Sequence, residues 1–330
     1  MIIGIIGTGN QASKFLKILK KQKFEKLIIF HPTKKKTEIK NKFIKNVIGK
    51  KISFTNSINN LNKCNSIFIA STSNTHIKYL KFFYMKKVFI FCEKPPATNN
   101  KDLEFLSKIP IKYKKKIKFN FQLPYTPVYK KILDVIREKK LGKLINFSVQ
   151  TGNGIAFDKN FKNNWRFRKN NLFNGLIGNL GIHYLHYFLK CFKKVEILNI
   201  FKNNFAKTSG YDTAEIIVKI NSKINSNVFM TYASPFLNSI NILFTNGILN
   251  YFNNELKIYY LRNTFDKKGN YKIPKCIFKL KISKSENQFI GTENILKKFL
   301  SISNKNGSFD TRDFNISLKA NKILLDYKQN

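Results

Sequence analysis

The sequence predicts an α/β protein in two parts. Residues 1–121 form an N-terminal domain built on a parallel sheet, and residues 122–330 a C-terminal α/β domain on a large, mostly antiparallel open sheet. Three observations predict this. The first third alternates short apolar runs with stretches of helical periodicity, the pattern of βαβ units. After residue 143 the apolar runs follow one another directly, several joined by Asn/Gly/Ser turns, which suits antiparallel pairing. Between the two, near residue 121, the period changes without a Pro- or Gly-rich linker.

Taken in order, IIGIIG is a near-continuous apolar strand, and Ala12, Phe15, Leu16 and Leu19 recur after it at helical spacing. KLIIF is a second strand, stopped by His31-Pro32. SIFIAS (66–71) is a third, followed by a helix with Ile77, Leu80, Phe83 and Tyr84 on one side. KVFIFC comes next, then a helix opened by Asn99 with Asp102 three residues on, a capping-box-like pair. KIKFNF closes the series. Pro127 starts a helix whose apolar face is Val128, Ile132, Val135 and Ile136 and which ends at Leu141-Gly142. The strands LINFSVQTG, EIIVKI, NVFMTYAS, INILFTNGILNYF and LKIYYL follow. Two helices end the chain, the last with Ile316, Ala320, Ile323, Leu324 and Tyr327 on one face.

The first turn carries the most chemistry. Gly7 to Ala12 reads GTGNQA, a G-x-G-x-x-A spacing between a strand and a helix, which is the fingerprint of a Rossmann dinucleotide site. Gly7 permits the tight turn, Gly9 lets the backbone approach a pyrophosphate, and Ala12 packs helix on strand. The helix N-terminus supplies N–H donors and positive potential. After the second strand an Asp or Glu would bind a ribose 2′-hydroxyl. Here the run is His31-Pro32-Thr33-Lys34, with no acid, and Thr33 and the lysines suit a 2′-phosphate. The expected cofactor is therefore NAD(P), leaning to NADP.

Composition bounds the rest. With 43% hydrophobic residues the 330-residue chain can bury real cores, and no apolar run reaches the ~18 residues of a membrane helix. The N-terminus lacks a charged leader, so a cytoplasmic protein is expected. The four cysteines (Cys64, Cys92, Cys191, Cys276) lie far apart, predicting neither a disulfide framework nor a metal site. The net charge of +43 invites a nucleic-acid reading. Only five of the 61 basic residues are Arg, however, and Lys, Asn, Ile and Phe, all with A/T-rich codons, are abundant throughout. Codon composition accounts for the charge without a ligand, so no specific nucleic-acid partner is expected.

The stretch CEKPPATN (92–99) ends an apolar strand on an acid, an amine and two prolines. Together with GIIGTGNQA, IASTSNTH (69–76), NWRF (164–167) and GNLGIHYLHYF (178–188), it resembles the glucose–fructose oxidoreductase, inositol dehydrogenase and rhizopine-catabolism family (Gfo/Idh/MocA) over nearly the whole chain. The E-K-P and G-x-H segments are the specific ones. The resemblance implies a Rossmann domain followed by a sheet domain that binds a sugar, cyclitol or nucleotide-sugar and mediates dimers or tetramers.

Carried over residue by residue, the resemblance puts Lys94 and His183 in the catalytic pair, with Asn179 and His186 beside them. It puts Gly7, Thr8, Gly9, Asn10, Gln11, Ala12, His31, Thr33, Lys34, Ser71, Thr72, Asn74, His76, Glu93, Lys94, Gln122, Trp165 and Arg166 around the cofactor. It also implies a cis bond before Pro95. Chemistry agrees: oxidising a secondary alcohol needs a base for the hydroxyl proton, and an amine at the carboxyl end of a parallel strand is where α/β sheets bind ligands. Two departures stand out. The aspartates of the family's D-x-G-x-H-x-x-D segment are Asn179 and His186 here, and an amide cannot take a proton. A binder of the same fold that has lost its chemistry is therefore the alternative to an enzyme.

Overall fold

The computed structural model describes residues 1–33, 51–159, 175–260 and 263–327. Two compact units emerge: Met1–Phe121 with Glu293–Lys322, and Gln122–Thr292 with Ile323–Asn330.

The first unit holds a six-stranded sheet of β1 (Ile2–Ile6), β2 (Lys26–Phe30), β3 (Ile52–Thr55), β4 (Ser66–Ile69), β5 (Phe89–Cys92) and β6 (Ile117–Phe119). Every pairing is parallel, in the order β3-β2-β1-β4-β5-β6. This is the doubly wound Rossmann arrangement, whose order reverses between β1 and β4. Strands buried on both faces read as unbroken apolar runs, as β4 and β5 do. Sequence reading finds all of these but β3, which is only four residues long and mostly half-buried.

Helix α1 (Asn10–Leu19) buries Ala12, Phe15, Leu16 and Leu19 as its spacing predicts. In α2 (His76–Phe83) the buried face is His76, Tyr79, Leu80 and Phe83, so it is rotated from the expected one, and Ile77 and Tyr84 are only half-buried. Asn99 caps α3 (Asn100–Lys108): its Oδ1 accepts from the Asp102 N–H at 2.9 Å, and its Nδ2 donates to the Asp102 carboxylate at 2.8 Å. The short α4 (Ile111–Lys114) leads into β6.

The C-terminal segment Glu293–Lys322 belongs to this unit, whereas the sequence reading grouped it with the second domain. Its Phe299 ring lies 5.2 Å from those of both Phe68 and Phe91, and Phe309 stacks on it at 5.6 Å. An amphipathic helix announces that it packs but not which sheet receives it, so periodicity alone could not assign these residues.

The second unit opens with α5 (Pro127–Glu138), whose N-terminus is capped by Thr126 with Pro127 as its first residue. It buries Val128, Ile132 and Val135 as expected, together with Tyr129 and Leu133. The helix stops at Glu138, earlier than expected, with Lys139 left-handed (φ 56°), and Gly142 (φ 83°) turns the chain into the next strand. Helix α6 (Ile182–Cys191) lies between β7 and β8 in sequence.

Eight strands follow α5: β7 (Leu144–Gly152), β8 (Val195–Asn203), β9 (Thr213–Ile220), β10 (Ile224–Thr231), β11 (Leu237–Phe244), β12 (Gly247–Phe252), β13 (Glu255–Tyr260) and β14 (Lys275–Lys281). They pair in the order β14-β13-β12-β11-β7-β10-β9-β8, antiparallel except for β7 with β10. The run INILFTNGILNYF is two strands joined at Thr245-Asn246. β8 and β14 escaped sequence reading because Lys and Asn interrupt their alternation. The chain ends in α7 (Lys284–Asn304) and α8 (Thr311–Tyr327); on α8, Ala320 and Leu324 are buried as expected, and Ile316, Ile323 and Tyr327 only half-buried.

Candidate active site

In a parallel sheet all carboxyl ends share one edge, and ligands bind there at the point where strand order reverses. Gly7 leaves β1 at that point with φ 100°, a conformation glycine adopts without cost. A Cβ on it would stand 2.6 Å from the Ala70 carbonyl oxygen at the end of β4, so both torsion and space demand glycine. Gly9 differs: a Cβ there meets nothing within 4 Å, leaving its backbone open to an approaching group. Gly9 is also the N-cap of α1, which has no side-chain cap and no acid in its first turn. Thr8 is buried, Asn10 is exposed and Gln11 half-buried. An uncapped helix end behind an open glycine fits the pyrophosphate of a dinucleotide.

The neighbouring loops complete this edge. After β2, His31 is half-buried and Thr33 exposed; the Thr33 N–H donates to His31 Nδ1 at 3.3 Å, and the His31 carbonyl accepts from Asn56 Nδ2 at 3.0 Å. After β4, Ser71 Oγ accepts from Thr75 Oγ1 at 2.8 Å, while Thr72 and Asn74 are exposed. Lys34, Trp165 and Arg166 lie outside the described residues.

The loop after β5 is fastened on every side within the first unit. The Glu93 N–H donates to the Ile69 carbonyl of β4 at 2.9 Å, and the Asn120 N–H to the Cys92 carbonyl at 2.8 Å. Asn120 Nδ2 donates to Glu93 Oε1 at 2.6 Å, with both residues buried. The Lys94-Pro95 bond is cis, as the resemblance implied. His76, at the start of α2, places Nδ1 3.0 Å from the Pro95 carbonyl oxygen and Nε2 3.2 Å from that of Ser71. The Ala97 N–H donates to Asn321 Oδ1 of α8 at 3.0 Å. Lys94 itself is half-buried.

Burial shapes the ionisation of this cluster. It pushes the Glu93 carboxyl above the usual range, against the Asn120 hydrogen bond and the Lys94 charge that pull it down. It pushes the His76 imidazole below its ordinary value, opposed by the two carbonyl contacts and reinforced by the Lys94 charge. The Cys92 thiol, directly before Glu93, is held well above its usual value by the same burial.

In the second unit a single π-helical turn, Ile177–Gly181, runs into α6 and carries Asn179. Such turns recur at functional sites. Asn179 Nδ2 donates to Tyr232 Oη at 2.8 Å, just past the end of β10. His183 and His186 follow on α6, the first half-buried and the second 5% exposed. Gln122 is the first residue of this unit.

Sequence reasoning missed Asn120, Asn321 and Tyr232. Asn120 stands at the carboxyl end of β6, and that position was the available signal; the partners of the other two lie 224 and 53 residues away along the chain. Among the described residues no group of three or more His, Cys, Asp or Glu could hold a metal ion.

Comparison with known proteins agrees with this geometry. Residues 1–121 match the model of the oxidoreductase family NAD-binding Rossmann fold, and residues 129–250 that of the GFO/IDH/MocA C-terminal domain. Among similar solved structures is a levoglucosan dehydrogenase in complex with NADH and levoglucosan (17% identity, TM-score 0.74), the alignment covering 100% of this chain and 98% of that one. A myo-inositol dehydrogenase from Corynebacterium glutamicum is similar at 14% identity and TM-score 0.70, over 99% of this chain and 96% of that one. A putative NADPH-dependent oxidoreductase from Desulfitobacterium hafniense is similar at 14% identity and TM-score 0.76, over 98% and 93%. At such identities the structural likeness speaks for the fold, and the two family models speak for descent: this chain belongs to the Gfo/Idh/MocA family of oxidoreductases.

Proposed function

We propose that this chain is an NAD(P)-dependent oxidoreductase acting on a hydroxyl or keto carbon of a sugar, cyclitol or nucleotide-sugar. Lys94 and His183 handle the proton. The observation that carries the reading is the shared edge of one sheet. The open Gly9 backbone follows β1 and the half-buried Lys94 follows β5, with only β4 between those strands. Gly7, Gly9 and the start of α1 hold the pyrophosphate, and Ser71, Thr72 and Asn74 lie along the path toward the nicotinamide. A bound nicotinamide dinucleotide supplies or accepts the hydride. Lys94 then gives a proton to the substrate oxygen or takes one from it, and His186, on the same helix as His183, serves that histidine as a proton relay.

The cofactor lean is to NADP, because the described end of β2 offers His31, Pro32 and Thr33 and no carboxylate. Two of the similar structures named above are a levoglucosan and a myo-inositol dehydrogenase, which supports a polyol substrate. Exposed apolar side chains on the strands of the second unit (Leu198, Phe201, Phe252, Ile277) support assembly into a dimer or tetramer. A second reading, a nucleotide- and sugar-binding regulator, is favoured by Asn179, whose amide is engaged with Tyr232 and cannot serve as a base.

Fluorescence titration with NADH and NADPH, followed by turnover assays over cyclitols, sugars and nucleotide-sugars, tests the reading. Lys94→Ala is expected to lower kcat by about 100-fold or more while leaving nucleotide affinity within about twofold. Undiminished turnover in that variant removes the proton role of Lys94. Tight nucleotide binding with no turnover across the panel transfers the protein to the regulator reading.

A further inference from the structure

The acid beside Lys94 has an unusual setting. Glu93 is 5% exposed and Asn120 2% exposed, joined by a 2.6 Å hydrogen bond, and the next residue is the half-buried Lys94. The backbone N–H of Lys94 also donates to this carboxyl. Asn120 is doubly fixed, its own N–H bonded to the Cys92 carbonyl. A side chain so enclosed is placed to act on its neighbour more directly than on a cofactor.

We infer that Glu93 is a positioning acid for Lys94: held by Asn120, its buried carboxylate keeps the adjacent amine protonated in the resting protein and so poises it as a proton donor. The inference rests on the reading of Lys94 as the proton-handling group and extends it to the groups that set its charge. Opposite charges within a few ångströms each favour the ionised form of the other. Burial opposes the charge on Glu93, and the Asn120 donor and the Lys94 charge sustain it. The other charge that reaches Glu93 is Lys14 of α1, the Cys92 thiol adjoins it, and the Lys94 charge also reaches His76 of α2. A protonated Lys94 suits carbonyl reduction: as the carbon accepts hydride, the oxygen takes the proton from Nζ and the alcohol forms.

The test follows the acylation of Lys94 in the full-length protein across pH, resolved by peptide mass spectrometry with acetic anhydride. It needs neither cofactor nor substrate. Glu93→Gln is expected to move the midpoint of Lys94 acylation down by about one pH unit; Asn120→Ala, by weakening the carboxylate, should move it the same way by less. Midpoints unchanged from the parent in both variants overturn the inference. A shifted midpoint in a protein without turnover supports it and sinks only the enzymatic reading. If Glu93→Gln does not fold, carbon NMR of the parent decides. A Glu93 carboxyl that is ionised at neutral pH, with the Lys94 side chain responding as it titrates, supports the inference; one that stays protonated at neutral pH, or whose titration leaves Lys94 unmoved, overturns it.

Discussion

His76 Nδ1 lies 3.0 Å from the carbonyl oxygen of Pro95, the residue that follows Lys94 through a cis bond. The same ring sets Nε2 3.2 Å from the Ser71 carbonyl, so one imidazole spans the loops after β4 and β5. A neutral ring has one N–H to donate and an imidazolium has two, yet burial holds the group below its ordinary value. A base whose folded value is depressed gives stability that is complete above its unfolded value, about 6.5, and is lost as pH falls toward the folded one. Thermal melts of the parent are therefore expected to fall as pH drops below about 6.5, and His76→Gln should flatten that slope. Identical slopes in the two proteins would show that His76 does not titrate on unfolding.

Gly9 offers a variant that separates binding from folding. Space is open around it and it already caps α1, and Asp is among the best N-caps. Gly9→Asp should thus leave the melting temperature unchanged or raised while placing a carboxylate against the pyrophosphate. NADH and NADPH affinity should fall at least 100-fold, about 3 kcal/mol at the effective dielectric of a protein surface. Gly7→Ala should fail differently, lowering stability outright because its φ is 100° and its Cβ would collide with the Ala70 carbonyl. Dinucleotide titration beside differential scanning calorimetry distinguishes the two.

Lys118 on β6 and Asp313 on α8 form an ion pair at 2.6 Å, with side chains 9% and 17% exposed. Breaking such a pair strands a buried ammonium, so Asp313→Ala is expected to cost about 3 kcal/mol. The double variant Lys118→Met/Asp313→Leu should recover most of it. Urea denaturation measures both, and a single variant as stable as the parent would refute the estimate.

Lys284, the first residue of α7, donates to Thr151 Oγ1 at 2.8 Å, and burial pushes its amine down to about 8. Between that value and the unfolded one the unfolded chain binds more protons, so this group's contribution to stability rises with pH across the window. At neutral pH the buried charge costs about 3 kcal/mol. Lys284→Met should raise the melting temperature at pH 7 and should lose the parent's gain in stability between pH 8 and 10. A variant less stable than the parent at pH 7 would mean that the Thr151 hydrogen bond outweighs the desolvation.

What the sequence revealed follows from range. The glycine loop and the E-K-P turn are local: their residues are contiguous, and strand, turn and helix chemistry is written into a dozen positions. Asn179 was legible as a departure, yet its partner Tyr232 was not, because no local pattern marks a tyrosine one residue beyond β10. The frame around Lys94 was hidden for the same reason. Only contacts spanning 19, 27 and 224 residues bring His76, Asn120 and Asn321 to it. Period-2 alternation found most strands of the second sheet but not the one parallel pair at its centre, since pattern reports burial and not direction.

The bond from Ala97 to Asn321 has a consequence for the order in which the protein matures. A ribosome that has released only residues 1–121 has made all six strands of the first sheet, but neither Phe299 for Phe68 and Phe91 nor Asn321 for the loop behind Lys94. The nascent chain carries a dinucleotide-binding sheet whose E-K-P turn, already tied to Ile69, His76 and Asn120, lacks its last tether until residue 321 has been made.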